Sequence, residues 1–206
     1  MTAAILRILI DTGHGLGNVR VGQYDPGAVS CAEEAALVRV VADEVLQQCA
    51  LATPSIVLLP ECGTDCVQKH PRSLRGRPKS HLRYKVWWLN KNYKPFDYLI
   101  SIHCNAASEG GASGVEVYYS DDAPDLRRRQ AEAAAAALAA VLDLPNRGAK
   151  PSWKSQHPRL PILDSTKVPA LLFELGFITN PVDTEAIEKR GSAAVIAAIE
   201  AIRRVK

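Results

Sequence analysis

Short apolar runs along this chain end abruptly in small or polar residues, and the stretches between them repeat apolar residues at helical spacing. The short runs predict five strands, over residues 5–11, 55–59, 98–103, 114–119 and 170–174. Helical spacing is clearest over residues 33–50, where Leu37, Val38, Val41, Val45 and Leu46 recur on one face. A shorter helix is predicted over residues 82–90, carrying Trp87 and Trp88, and an Ala-rich one over 125–142, with Pro145 just beyond its end. A terminal helix is predicted over 192–205, with Ser192 as N-cap after Gly191. Residues 15–31 and 146–167 are rich in Gly, Pro and polar side chains and read as long loops, which in a compact domain are often binding loops. Alternating strands and helices predict an α/β fold: a single-domain three-layer sandwich over residues 1–206, its mostly parallel twisted sheet flanked by helices.

Composition narrows the setting. A formal charge of +3 is mildly basic and favours an anionic surface without demanding one. The densest basic stretch, residues 70–85 with Arg72, Arg75, Arg77, Lys79, Arg83 and Lys85, has no interleaved aromatic run and reads as a solvated loop and helix face, so no nucleic-acid partner is expected. No apolar run approaches the length of a membrane helix, so no membrane insertion is expected. The first residues lack the charged start and long apolar core of a signal peptide, which predicts a chain made in the cytoplasm. Five cysteines at scattered spacing argue against a disulfide framework, and the local pair Cys62 and Cys66 reads as two free thiols in a loop.

The chemistry gathers at predicted strand ends, where α/β proteins bind ligands. The first strand runs straight into Gly13-His14-Gly15, and the third ends at His103. Two histidines so placed can share one metal ion. A catalytic zinc commonly takes three protein ligands and leaves a position for water. Glu33 and Glu34, which open the first long helix, are both candidates for the third, although acids also suit a first helical turn through the helix dipole. Glu174 interrupts the apolar stretch 171–177. A carboxylate in such a strand must meet a cation, a donor or a proton.

These residues resemble the zinc-dependent N-acetylmuramoyl-L-alanine amidases of the amidase-3 family. The shared phrases are Asp11-Thr12-Gly13-His14-Gly15, Asp25-Pro26-Gly27-Ala28, Ser101-Ile102-His103-Cys104-Asn105, Gly114-Val115-Glu116-Val117-Tyr118-Tyr119 and Glu174-Leu175-Gly176-Phe177-Ile178-Thr179-Asn180, in the family's order. The resemblance implies Zn2+ as cofactor, with His14, Glu34 (in preference to Glu33) and His103 as ligands, Glu174 as the catalytic acid/base and Asn105 as a substrate-binding residue. It also implies peptidoglycan as substrate, cut at the amide between N-acetylmuramic acid and L-alanine. The chain departs from the pattern at Lys85, where the family often has Arg five residues before an Asn, here Asn90. Residues 62–79 and 150–159 have no counterpart and are expected to shape the groove. A compact chain without export signal or separate cell-wall-binding domain resembles a phage or prophage endolysin, released onto the wall from the host cytoplasm. A mother-cell or other bacterial autolysin, a zinc peptidase cutting within the stem peptide and a catalytically silent wall-binding protein are the alternatives. A phosphate loop at residues 13–17 is disfavoured, because Asn18 stands where the third glycine belongs and no helix follows.

Overall fold

The computed structural model describes residues 6–16, 23–49, 55–58, 81–92, 94–108, 111–157 and 159–206. Eight strands are present among them: β1 (Arg7–Thr12), β2 (Gly15–Leu16), β3 (Tyr24–Asp25), β4 (Ser55–Leu58), β5 (Tyr98–Asn105), β6 (Val115–Tyr119), β7 (Asn146–Pro151) and β8 (Ala170–Phe177). The described helices are α1 (Glu34–Cys49), α2 (His81–Asn92), α3 (Asp125–Leu142), α4 (Pro161–Asp164) and α5 (Pro181–Arg204). Six strands form one sheet in the order β4-β1-β5-β8-β6-β7, while β2 and β3 make a small antiparallel ribbon. Neighbours pair in parallel except β6 and β8, whose antiparallel pairing turns β6 and β7 against the other four strands.

Strand alternation sends successive side chains to opposite faces. Ile8 and Ile10 of β1 join a core with α1, α3 and α5, whereas Leu9 between them packs with Leu89 of α2 and Ile162 and Leu163 of α4. The sheet is therefore covered on both faces, which explains why β1, β5 and β8 are buried along most of their length and carry consecutive apolar residues rather than alternating ones. The predicted α/β sandwich is the observed one.

Several boundaries differ from expectation. The strands carrying His103 and Glu174 continue to Asn105 and Phe177, because β5 and β8 keep pairing across an irregularity between His103 and Asn105. Both residues thus sit two or three positions inside their strands. Residues 146–167, expected as a loop, hold the edge strand β7, a 3-10 turn at Ser152–Lys154 and the single turn of α4. Short elements interrupted by Gly148 and Pro151 carry little periodicity. The terminal helix starts at Asn180, not Ser192: the Asn180 side chain accepts the Val182 N–H at 2.9 Å, and Pro181 follows at the first turn. Gly191 lies inside this helix because Val41 of α1 packs against it, where a Cβ would approach Val41 Cγ2 to 2.7 Å. Buried Asp183 in the same first turn accepts from Gly114 N (2.9 Å), Phe177 N (2.8 Å) and Ser113 Oγ (2.6 Å), tying the end of β8 to the start of β6. Cys62, Cys66 and most of the basic stretch 70–85 lie outside the described residues. No helix among the described residues is long and apolar enough to cross a membrane.

Candidate active site

The carboxyl ends of the adjacent parallel strands β1 and β5 deliver the two histidines to one place, where a sheet of this kind binds ligands. The chain leaves β1 through Gly13, whose N–H donates to Ile102 O of β5 at 3.0 Å. That bond presses Gly13 against the His103 ring so closely that a Cβ would lie 2.2 Å from Cε1. His14 then adopts a left-handed conformation, φ 62°, sparsely populated outside glycine. Its ring comes to rest 5.2 Å from the His103 ring, centroid to centroid, at 75°. His14 Nδ1 lies 2.9 Å from Asp25 Oδ2. A carboxylate only accepts, so this bond puts a proton on Nδ1 and turns Nε2 toward the site as the atom that would ligate a metal. Asp25 is itself fixed by the Gly27 N–H, 3.1 Å from Oδ1.

Between the rings lies Glu34, the first residue of α1. One carboxylate oxygen is 3.1 Å from His14 Nε2 and the other 3.1 Å from His103 Nδ1. Backbone donors hold the same oxygens: Ala28 N at 3.0 Å and Cys104 N at 3.0 Å. Gly27, with φ +69°, passes against this cluster, and a Cβ there would come within 2.6 Å of Glu34 Oε2 and 2.7 Å of the His14 ring. Glu33 turns elsewhere and accepts from the Tyr24 hydroxyl. His14, Glu34 and His103 form a metal-competent group, one ligand atom from each lying within 4.8 Å of the others. In the metal-free protein burial works against charge on both partners, but mutual attraction prevails. Glu34, then Asp25, raise His14 to about 9, and the two histidines hold Glu34 far below the usual carboxylate range.

Glu174 stands beside this group, opposite His103 in the β5/β8 register. Its Oε2 is buried without a hydrogen-bond partner among the described residues. Burial is the main reason its carboxyl is pushed up to about 7; the charge of His103 opposes the rise, and the charges of Glu34 and Glu116 add to it. Glu116 sits opposite Glu174 on β6 and is neutralised from its outer side by Arg147 (2.5 Å) and Lys150 (2.6 Å) of β7, with the Tyr118 hydroxyl donating at 2.7 Å. Burial opposes ionisation of Glu116, yet these three donors lower its pKa. A ligand, an acid of raised pKa and a second, compensated acid thus lie in one row across three strands.

A groove of about 570 Å3 opens over the row. Its floor includes Asp11 and Lys85, an ion pair nearly removed from solvent, in which Asp11 also accepts from Ser101 Oγ (2.7 Å) and Lys85 donates to Thr12 O (3.0 Å). Lys85 therefore braces the end of β1 rather than pointing at solvent. Asn105 lines the groove, but its polar atoms are engaged: Nδ2 with Glu116 Oε2 at 3.4 Å, and Oδ1 with Gln156 Nε2 and Ala106 N at 3.1 and 3.0 Å. Asp25, Lys85, Glu116 and Gln156 carry the geometry without having been assigned it from sequence. Asp25 and Glu116 lie inside the phrases that carry the family resemblance, and that position was their only signal. Gln156 had none.

Comparison with known proteins accords with this geometry. Residues 8–204 match the family model described as N-acetylmuramoyl-L-alanine amidase. The probable cell wall amidase LytH of Staphylococcus aureus is 36% identical over 99 residues, 48% of this chain and 31% of LytH, so the match spans about a third of that relative. The crystal structure of an N-acetylmuramoyl-L-alanine amidase from Clostridium difficile 630 shares the fold with a TM-score of 0.73 at 22% identity, covering 98% of this chain and 96% of that one. The catalytic domain of the CD27L endolysin targeting Clostridia difficile does so with a TM-score of 0.70 at 22% identity, covering 96% and 97%. Since the family pattern runs through nearly every described element, from the first buried strand to the last helix, the chain belongs to the N-acetylmuramoyl-L-alanine amidase family.

Proposed function

We propose that this chain is a zinc-dependent N-acetylmuramoyl-L-alanine amidase that cuts peptidoglycan between the lactyl carbonyl of N-acetylmuramic acid and L-alanine. The observation that carries the reading is Glu34 set between His14 and His103, with an unpartnered acid oxygen on Glu174 beside them. The three residues fit zinc. Ligands sharing a tetrahedral zinc stand about 3.3 Å apart, given bonds of about 2.0–2.1 Å; each histidine lies 3.1 Å from one of the two Glu34 oxygens, and one ligand atom from each of the three residues lies within 4.8 Å of the others. Two imidazoles and one carboxylate are a donor set that suits this metal, and Asp25 supplies the carboxylate that commonly orients a ligating histidine.

Bound there, zinc would supply Lewis acidity, favouring ionisation of water and polarising a carbonyl. The chain's own part falls to Glu174. With a carboxyl raised to about 7, it is poised near neutrality both to accept and to return a proton. Glu174 Oε2 takes a proton from the attacking water as its oxygen bonds to the lactyl carbonyl carbon. The same oxygen returns the proton to the nitrogen of L-alanine as the C–N bond breaks. A free carboxylate remains on the sugar and a free amine on the peptide. Glu116, held ionised by Arg147 and Lys150, keeps a fixed boundary beside Glu174, and its charge helps to hold the Glu174 carboxyl up. Asn105 holds the groove wall through Gln156 and takes part in substrate binding at second hand.

The setting we propose is lytic: a phage or prophage endolysin, made in the cytoplasm and acting on the host wall after release. A bacterial cell-wall amidase is the second reading, favoured by the identity to LytH. Digestion of purified muropeptides, followed by mass spectrometry, tests the chemistry. Intact stem peptides with a new L-alanine amine are expected. Shortened peptides on an unbroken lactyl amide would refute it. Lysis of a producing culture only when a membrane pore-former is co-expressed supports the endolysin setting; lysis without one contradicts it.

A further inference from the structure

The groove wall facing the active site is a strap of residues 152–157 and 159–160, of which Ser155, Gln156, His157, Arg159 and Leu160 line the groove. This strap is built rather than draped. Asp164 clamps both its ends: Oδ1 lies 2.8 Å from Ser152 Oγ, and Oδ2 accepts Leu160 N at 3.1 Å. Asp121 adds a second hold at the first end by accepting Trp153 N (3.1 Å), and its Oδ1, 2.9 Å from Ser152 Oγ, shares that hydroxyl's one proton with Asp164. Gln156 pins the middle to Asn105 Oδ1 and Ala106 O, each at 3.1 Å. None of these bonds uses Arg159, so the strap's shape does not depend on that side chain.

Charge along the groove is matched everywhere but there. Of the lining acids, Asp11 is paired with Lys85, Glu34 with two histidines, and Glu174 is the acid of raised pKa. Of the lining lysine and histidines, Lys85, His14 and His103 are engaged by those acids, while His157 lies exposed on the strap beside Arg159. Arg159 is exposed and has no acidic partner among the described residues. An arginine presents a planar fork that binds a carboxylate through two parallel hydrogen bonds. The substrate of the proposed reaction is an uncharged glycan joined to a peptide bearing free carboxylates.

Resting on that reading, we propose that Arg159 is a specificity-determining residue that receives a carboxylate of the stem peptide, with the clamped strap holding it in position. A charge-assisted hydrogen bond of this kind corresponds to about a tenfold change in binding. The probes are N-acetylmuramoyl-L-alanyl-D-glutamate and its diamide, which differ only in charge. Binding is measured calorimetrically at low salt in Glu174→Gln protein, with and without Arg159→Gln or Arg159→Lys, and hydrolysis is followed in parallel with Glu174 present. The expected result is about tenfold tighter binding of the diacid, abolished by Arg159→Gln, partly retained by Arg159→Lys, and seen in hydrolysis as a raised KM at unchanged kcat. Equal affinity for the two probes before Arg159 is changed, or a preference that survives Arg159→Gln, overturns the assignment. A preference lost with Arg159→Gln in a chain that hydrolyses neither probe keeps the carboxylate site and refutes the amidase reading instead.

Discussion

Gly13→Ala is a one-carbon perturbation aimed at the metal group rather than at the fold. Gly13 is not among the positive-φ residues, so alanine meets no backbone penalty there. Its Cβ, however, would lie 2.2 Å from His103 Cε1 and 2.4 Å from Nδ1, where ordinary contact begins at 3.4 Å. Gly13 cannot retreat, because its N–H is bonded to Ile102 O, so the ring must move by about 1 Å. Overpacking of this kind costs about 1–3 kcal/mol of stability, or roughly 2–12 °C in Tm for a domain of this size. Displacing a catalytic group by about 1 Å can cost about 100-fold in rate. The expected variant is folded, binds zinc weakly and has kcat/KM about two orders of magnitude below the parent. Metal content after dialysis, thermal unfolding and muropeptide hydrolysis read the three quantities. Gly148→Ala is the control: φ is +84° and nothing lies within 4 Å, so it should lose about 1 kcal/mol to backbone strain with activity intact. A Gly13→Ala protein that binds zinc and hydrolyses muropeptide as the parent does would refute the close approach on which the geometry rests.

Further outcomes follow from the charges. Asp25→Ala frees His14 Nδ1 and should weaken zinc binding about 10- to 100-fold with little loss of fold; unchanged affinity in a chelator competition would show that Asp25 does not orient the ring. Lys85→Met strands buried Asp11 and should cost about 3–5 kcal/mol, while adding Asp11→Asn should restore more than half of it; equal losses in single and double variants by thermal unfolding would contradict the pairing. For metal-free protein, Glu174 has a folded pKa near 7 against 4.5 for the ordinary carboxyl. The folded state then binds the extra proton between these values, so this group favours folding below pH 4.5 and loses that contribution as pH rises through 7. Glu174→Gln should therefore gain about 3 kcal/mol on the parent between pH 4 and pH 8; a pH-independent difference in Tm would show that the carboxyl is not raised.

The sheet was legible because β1, β5 and β8 are buried on both faces and carry consecutive apolar residues, Ile8 to Ile10, Tyr98 to Ile100 and Ala170 to Phe173. The ligand pair His14 and His103 was legible for the same reason, since polar residues at the ends of such runs stand out. What distinguishes Glu34 from Glu33 is not local: it comes from Ala28 N and Cys104 N meeting one carboxylate, contacts between segments 6 and 70 positions apart. Residues 150–159 are expected from sequence to shape the groove, and Ser155, Gln156, His157 and Arg159 do line it; the bonds that fix them, through Ser152, Gln156 and Asp164, are long-range and leave no periodicity. Asn180 was passed over as a helix cap because Gly191 and Ser192 imitate a helix start, and only packing against Val41 explains a glycine inside α5. Asn105, expected to touch substrate, lines the groove, and its side-chain atoms are joined to Glu116 and Gln156.

The central claim is that His14, Glu34 and His103 hold the metal while Glu174 moves the proton. Zinc stoichiometry and muropeptide cleavage, measured on the same samples of parent and Glu174→Gln protein, test it most directly. The account predicts one zinc per chain in both, and cleavage at the lactyl–alanine amide that falls at least about 100-fold in the variant, the low end for loss of a general acid–base. A Glu174→Gln protein that cleaves as the parent does, or that loses its zinc along with its activity, would contradict that division of roles.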